Sequence, residues 1–223
     1  MNQSIKSQLD LYTHSRPIIF SHLDNQYPYE IYYNDDEQFG ILYTSFDYHF
    51  VFGETPKHTD FFTDIILKHV SNSDKDEFIF FAPNPTWMKF LKKTLHKING
   101  IEDKRYLYYL NLSKFKYFDT HNEFVKLEFI QEQNSSIAYP QANIYLHGKL
   151  VSYCRAFMIG DGEAELDVWT DEEHRLQGLA FDACLVLIEY LLSKNIKPNW
   201  SCWEQKNHLI HLLKSWDLSC LKK

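Results

Sequence analysis

Apolar and polar positions in the first half of the chain predict short strands alternating with amphipathic helices. Residues 39–52 are rich in β-branched and aromatic side chains around a turn at 45–48, which is typical of a β-hairpin. Apolar side chains at helical spacing predict one helix from Thr59 and another from Pro85 to Ile98, which Gly100 can end. The remaining elements predicted here are a short helix at 5–12 and strands at 78–82 and 105–112. Together they indicate an α+β lobe.

The second half of the chain has a different pattern of apolar and polar positions, which predicts several strands followed by a long apolar helix. That helix is predicted from about Gly178 to Ser193 and is followed by a strand at 198–202 and a helix at 204–214. The strands before it are predicted at 124–130, 142–147, 150–159 and 163–170. Strands flanking a buried helix favour an α/β domain with a mixed sheet covered by helices. We place the boundary near residue 122, which gives an N-terminal α+β lobe at 1–122 and a second domain at 123–223.

Composition narrows the function classes. The formal net charge of −7 argues against a nucleic-acid partner, because phosphate binding requires a basic surface. The longest apolar stretch, 179–192, is interrupted by Asp182 and Glu189 and is too short to span a bilayer, so no membrane partner is expected. No signal-peptide-like run is visible at the start, and the four widely spaced cysteines predict reduced thiols in a cytoplasmic protein.

One of the seven glycines lies at a position that suggests ligand binding. Gly178 stands between a predicted strand and a predicted helix, where glycine lets the backbone approach a ligand closely. The first turn of the following helix presents unpaired N–H groups and the positive end of the helix dipole, which suit a pyrophosphate. Arg175 can add a charged hydrogen bond. Taken alone, this segment favours an ordinary strand-to-helix turn with a surface arginine over a ligand site.

Two longer stretches strengthen the ligand-binding interpretation. Residues 165–180 contain Arg175, Gly178 and Ala180 in the spacing R-x-x-G-x-A, and residues 197–207 contain a strand followed by Asn207. These stretches resemble the strand, phosphate loop and following strand of the GNAT acetyltransferase superfamily. The resemblance is greatest to the zwittermicin-resistance type of GNAT protein, which also fits Tyr139-Pro140. It covers roughly residues 124–215 well and residues 39–118 only loosely.

The resemblance implies an N-acetyltransferase that moves an acetyl group from acetyl-CoA to a primary amine of a small molecule. The backbone of Val168, Trp169 and Thr170 would pair with the pantetheine arm, and Asn207 would contact that arm near the thioester. No metal is needed. Together with Arg175, the cofactor-binding residues of the phosphate loop would be Leu176, Gln177, Gly178, Leu179 and Ala180.

One residue departs from the family pattern. Many relatives carry a tyrosine seven residues after the asparagine, thought to protonate the departing thiolate, and here that position holds Lys214. A thiol has a reference pKa of about 8.5, so its thiolate is a tolerable leaving group without a dedicated proton donor.

The general base is predicted on the strand at 163–170. Glu163, Glu165 and Asp167 alternate and would project from one face, within an acidic run that contains no lysine or arginine and could attract a cationic amine. Glu165 is the first candidate for the base and Asp167 the second. A solvated acidic strand without catalytic function is an equal alternative.

Other interpretations remain open at this point. The changed tyrosine position favours a non-catalytic acyl-CoA-binding or regulatory module as the alternative function. Glu204, His208 and His211 share a predicted helix face, which gives a metal-dependent hydrolase as a weaker rival. The N-terminal lobe is expected to form part of the acceptor pocket or to be a degenerate GNAT-like half. The protein is expected to be a monomer or a homodimer.

Overall fold

The structure is a computed structural model that describes residues 3–36, 38–75, 77–112, 115 and 124–203, and the backbone of 219–221. The chain divides into two compact units. The first consists of Met1–His14 and His22–Glu102, and the second of Ser15–Ser21 and Asp103–Lys223. Each unit is built around one β-sheet.

The first unit contains a four-stranded sheet in the order β1-β2-β3-β4 with helices around it. Strands β1 to β3 are antiparallel, and β4 pairs in parallel with β3. Its elements are α1 (Gln3–Leu9), β1 (Tyr29–Asn34), β2 (Phe39–Thr44), β3 (Tyr48–Gly53), α3 (Thr59–Ser71), β4 (Ile79–Phe81) and α4 (Pro85–Leu95). Helix α2 (Arg16–Leu23) lies before β1 in the chain and has its first residues in the second unit.

Trp87 anchors α4 in the core of this unit. Its backbone N–H donates to Asn84 Oδ1 at 2.9 Å, so Asn84 is the N-cap of the helix that was predicted to start at Pro85. Its indole Nε1 donates to the Gly53 carbonyl at 2.7 Å, so the buried ring leaves no polar atom unsatisfied. The predicted hairpin at 39–52 is confirmed as β2 and β3.

The second unit contains a seven-stranded mixed sheet in the order β11-β5-β10-β9-β8-β7-β6. All neighbouring strands are antiparallel except β9 and β10, which are parallel. The elements are β5 (Arg105–Tyr109), β6 (Val125–Gln131), β7 (Ala138–Leu146), β8 (Lys149–Gly160), β9 (Glu163–Thr170), α5 (Leu179–Ser193), β10 (Lys197–Trp203) and β11 (Ser219–Leu221).

Helix α5 covers one face of this sheet. Several of the strand residues in the core beneath it are small and fully buried, namely Ala142, Cys154, Ala156 and Ala164. The predicted α/β class, with a mixed sheet flanked by helices, is confirmed. The pairing of β5 with β10 brings a strand from before the proposed boundary at residue 122 into this sheet.

None of the described helices is both long enough and apolar enough to cross a membrane. The helix predicted at 204–214 lies outside the described residues.

Candidate functional site

Strands β9 and β10 pair over only three residues and then separate. The paired residues are Glu163 with Lys197, Ala164 with Pro198, and Glu165 with Asn199. Beyond this fork β9 continues to Thr170 and β10 to Trp203. Strand β8 pairs with β9 along its whole length, so the β9 edge that faces β10 has no ladder partner after Glu165 among the described strands. Such an edge can accept an extended ligand by backbone hydrogen bonding.

The loop after β9 has a backbone shaped for an anion. Leu176 and Gly178 both have left-handed φ values, 64° and 83°. Left-handed residues next to right-handed ones turn successive N–H groups towards one point, which is how backbone nests bind anions. Gly178 is the N-cap of α5 and supplies no capping side chain, so the N–H groups of the first helical turn are available to a ligand. A Cβ at position 178 would meet none of the described atoms within 4 Å, so the space around Gly178 is open in the part of the chain that the structure describes.

Leu176 is fully exposed although it is a large apolar side chain. Its left-handed backbone costs about 1–2 kcal/mol for a residue with a Cβ. An exposed apolar side chain on strained backbone contributes little to folding. Strain of this kind concentrates at ligand-binding segments.

Arg175 is tethered within the same loop. Its Nη1 lies 3.2 Å from Glu172 Oε1, and its Nε donates to the Thr170 carbonyl at 3.4 Å. Its side chain is more than half exposed, so the ion pair with Glu172 is weak and a phosphate can replace it. Asp171 caps the short 3₁₀ turn Glu172–His174 and is bonded to Lys149, and that hydrogen bond lowers the pKa of the Asp171 carboxyl.

The residues of β9 divide between two faces as predicted. Ala164, Leu166 and Val168 pack in the core beneath α5, while Glu163, Glu165 and Asp167 alternate with them on the opposite face. The prediction that these three carboxylates share one face is therefore confirmed.

Glu165 is the most buried of the three, with 1% of its surface exposed. It is the last β9 residue paired with β10 before the fork. The Ser201 hydroxyl donates to its carboxylate, and Arg105 Nη2 lies 3.4 Å from Oε1. Burial raises the pKa of the Glu165 carboxyl, and the Arg105 charge and the Ser201 hydrogen bonds oppose that rise.

Asp167 lies in a more open setting. Its carboxylate accepts from Arg155 Nε at 3.0 Å and from the Tyr153 hydroxyl at 3.4 Å. Arg155 also contacts Glu132 Oε1 at 2.5 Å. The acidic run of the sequence is thus partly neutralised by arginines from β5 and β8, and the face is less negative than the run alone suggests.

An aromatic pair continues this face beyond the fork. The rings of Tyr153 and Trp169 are stacked with centroids 5.7 Å apart, and Trp169 is 40% exposed. The two residues are directly opposite each other on β8 and β9.

The C-terminal segment matches a known family. The family model described as GNAT acetyltransferase matches residues 142–215, which include β8, the fork, the phosphate loop and α5. Residues 142–215 therefore resemble the GNAT acetyltransferases, in agreement with the resemblance found in the sequence. The similarity supports acyltransferase activity, as the sequence predicted.

A relative that is similar over most of the chain is also named as an N-acetyltransferase. The chain is 26% identical over 209 residues to "Uncharacterized N-acetyltransferase YdfB" of Bacillus subtilis (strain 168), an alignment that covers 82% of the chain and 79% of the relative.

Two solved structures share the fold. A GCN5-related N-acetyltransferase-like protein from Streptococcus suis 89/1591 has a TM-score of 0.63 at 16% identity, covering 95% of this chain and 91% of that one. A GCN5-related N-acetyltransferase from Kribbella flavida has a TM-score of 0.59 at 13% identity, with coverage of 93% and 92%. At such identities the likeness shows the fold alone.

The predicted cofactor-binding residues fall into two adjacent groups. Val168, Trp169 and Thr170 lie on the part of β9 that has left β10, and Leu176 to Ala180 form the loop and the first turn of α5. Asn207, Lys214 and the set Glu204, His208 and His211 lie outside the described residues. In the part of the chain that the structure describes, no three His, Cys, Asp or Glu side chains come together as metal ligands would.

Sequence reasoning missed two residues at the fork, Arg105 and Ser201. Arg105 reaches Glu165 only because β5 pairs with β10, and 60 residues of chain separate the two side chains. No motif marks such a pair. Ser201 could have been found, because it lies in the predicted strand at 198–202 beside the strand of Glu165.

Proposed function

We propose that this GNAT protein transfers the acetyl group of acetyl-CoA to a primary amine of a small molecule by direct attack on the thioester. The observation that carries the proposal is the fork between β9 and β10, which opens beside the uncapped N-terminus of α5 and has the buried Glu165 at its base. One end of the fork suits a diphosphate, and the other end holds a carboxylate that can take a proton.

The donor would bind along the open edge of β9. Backbone groups of Val168, Trp169 and Thr170 would pair with the pantetheine arm as an added strand does. The N–H groups of Leu176, Gln177, Gly178, Leu179 and Ala180 would hold the pyrophosphate, with Arg175 as a charged partner. The open space at Gly178 and the alternating left-handed residues support this fit. Asn207 remains the proposed contact near the thioester.

Glu165 is our first candidate for the general base and Asp167 the second. A base works best when its pKa lies near the operating pH, and burial moves the pKa of Glu165 in that direction. Backbone N–H groups of β9 would polarise the thioester carbonyl as the amine attacks. With lysine at position 214, the thiolate would leave without a tyrosine proton donor.

Further parts of the proposal rest on the sequence alone. They are the zwittermicin-resistance branch, a monomeric or homodimeric state and a cytoplasmic location.

Calorimetric titration of acetyl-CoA into the wild-type protein and the Gly178→Asp variant tests the donor site. We expect micromolar binding by the wild type and at least about a tenfold loss in the variant, because a carboxylate beside the phosphates is repulsive. Gly148→Asp is the matched control: Gly148 also has a left-handed φ, 79°, and also has no atom within 4 Å of an added Cβ. It should bind as the wild type does. Equal binding by all three proteins would refute the loop assignment.

Turnover tests the reaction itself. CoA release is measured with an arylalkylamine, a polyamine, an amino sugar, an amino acid and a lysine-containing peptide as acceptors. Acetylation of a small amine supports the proposal, and acetylation of the peptide alone contradicts the acceptor class. Tight binding of acetyl-CoA without CoA release for any acceptor would instead identify a non-catalytic acyl-CoA-binding module.

A further inference from the structure

We propose that Ser201 relays the proton of the acceptor amine to Glu165, and that Arg105 is a positioning residue that holds the Glu165 carboxylate for this transfer. The inference rests on the function proposed above and assigns two residues to its proton transfer. It is carried by the contacts that three neighbouring strands make at the fork.

Three strands each supply one member of the set. Glu165 is on β9, Ser201 is on β10 and Arg105 is on β5, and these strands are adjacent in the sheet. Ser201 lies two residues beyond Asn199, the last β10 residue paired with β9. The hydrogen bond from the Ser201 hydroxyl to Glu165 therefore crosses the fork at the point where the strands separate.

Glu165 and Ser201 differ in how far their side chains are exposed, and this gives them different roles. Glu165 has only 1% of its surface exposed, so an amine in solution does not reach its carboxylate directly. Ser201 is partly exposed and already donates its hydroxyl proton to that carboxylate. Among the described residues its oxygen lone pairs accept no recorded hydrogen bond, so they can take a proton from a ligand in the fork.

Arg105 is fixed from two sides. Its guanidinium lies 3.4 Å from Glu165 Oε1 and stacks over the Trp203 ring, 5.2 Å from the centroid. Trp203 is the cross-strand partner of Arg105 and lies two residues after Ser201 on the same face of β10. Residues of β10 thus contact both the carboxylate and the cation beside it, which keeps their relative position fixed.

The proton transfer balances without any further reactant. The amine nitrogen forms a bond to the acetyl carbonyl carbon and gives its proton to Ser201 Oγ, while the Ser201 hydroxyl proton passes to Glu165. The C–S bond then breaks, and the electron pair leaves with the CoA thiolate. Glu165 returns its proton to solvent after the products depart.

Burial and four neighbouring groups act on the pKa of Glu165. Arg105 on β5 favours the carboxylate, whereas Asp167 on β9 and an ionised Tyr109 on β5 would disfavour it. The Ser201 hydrogen bonds also favour the carboxylate. Loss of the Ser201 hydroxyl or of the Arg105 charge should therefore raise the pKa of Glu165.

The test measures kcat/KM against pH with an amine that the wild type acetylates. Ser201→Ala should lower kcat/KM by about 100-fold, the usual contribution of a positioned proton-transfer group, without changing the affinity for acetyl-CoA. Ser201→Thr keeps the hydroxyl and should stay within about tenfold of the wild type. Ser193→Ala removes an exposed hydroxyl that bonds only within its own helix, and it should behave as the wild type.

The pH profile gives the readout that a purely structural role would not change. The acidic limb, where Glu165 gains its proton, should move to higher pH in Ser201→Ala and in Arg105→Gln, while Arg105→Lys keeps the charge and should move less. Infrared titration of the carboxyl band, assigned by its loss in Glu165→Gln, follows the same ionisation without turnover.

The outcomes separate this inference from the function itself. Ser201→Ala with unchanged kcat/KM and an unchanged acidic limb would overturn the relay and leave the transferase intact. A wild type that releases no CoA with any amine would overturn both.

Discussion

The open space around Gly178 leads to a prediction about alanine at three glycines of the second unit. Gly148, Gly162 and Gly178 have φ values of 79°, 72° and 83°, and an added Cβ at each would meet no atom within 4 Å. Alanine at any of them is therefore strained only by its backbone. The three substitutions should destabilise the folded protein equally.

The magnitude follows from two opposing effects. A left-handed backbone costs a residue with a Cβ about 1–2 kcal/mol. Replacing glycine restricts the unfolded chain, which returns about 0.4–1 kcal/mol. The net loss is about 1 kcal/mol at each site, which lowers Tm by about 3–6 °C for a unit of this size.

Added acetyl-CoA should then separate the three variants. At a ligand concentration of about 100 times Kd, the wild type gains about 2.7 kcal/mol of stability. Gly148→Ala and Gly162→Ala should keep this gain, because both turns lie away from the phosphate loop in the chain. Gly178→Ala should lose most of it, since its Cβ enters the space that the pyrophosphate would occupy.

Thermal melts with and without acetyl-CoA measure both effects. Two results would refute the reasoning. A full ligand-induced rise in the Tm of Gly178→Ala would mean that the phosphates bind elsewhere. A far larger loss of stability for this variant without ligand would mean that the space around Gly178 is not open.

Two further predictions concern the folding of each unit. Asn84→Ala should lower the unfolding free energy of the first unit by about 1 kcal/mol, because it removes the acceptor for the Trp87 N–H. Asn84→Asp keeps an acceptor and should keep most of that free energy. Urea denaturation compares the two variants, and equal losses of unfolding free energy would contradict the N-cap. The pKa of Glu165 is raised above its ordinary value of 4.5 in the folded state, so its contribution to stability is complete below that pH and is lost as the pH rises through the folded-state pKa. Wild-type stability relative to Glu165→Gln should therefore fall as the pH rises above 4.5, and parallel denaturation profiles would show that the carboxyl is not perturbed.

Local sequence signals were sufficient for much of the second unit. The strands predicted at 142–147 and 150–159 are joined by a tight turn at His147-Gly148, where both residues take left-handed φ values. The bounds of β9 and the start of α5 at Gly178 also agree with the prediction. In these places the hydrophobic period and the turn chemistry point to the same answer.

Other elements were missed or misplaced for identifiable reasons. Strand β1 shows almost no burial alternation, and α2 carries a proline at its second residue, so neither has a clear period. Helix α4 ends at Leu95, and a 3₁₀ turn follows. The left-handed residue after that turn is Asn99 rather than the expected Gly100, because asparagine also tolerates this conformation.

Strand β7 begins at Ala138, four residues earlier than predicted. It runs through Pro140, a residue that normally argues against a central strand. At Pro140, β7 is paired with β6 but not with β8, because the pairing of β7 with β8 starts at Gln141. The fork itself was beyond prediction from residue patterns, since it depends on where two parallel strands stop pairing.

The position of β5 has a consequence for biosynthesis. This strand leaves the ribosome early, yet its two neighbours, β10 and β11, are made roughly ninety or more residues later. Until then both of its edges lack their native partners, and closing the sheet requires contacts of long sequence separation, which form slowly. Excising the family-matched segment 142–215 would remove β5 and β6 together, so a fragment cut at those limits should aggregate rather than fold.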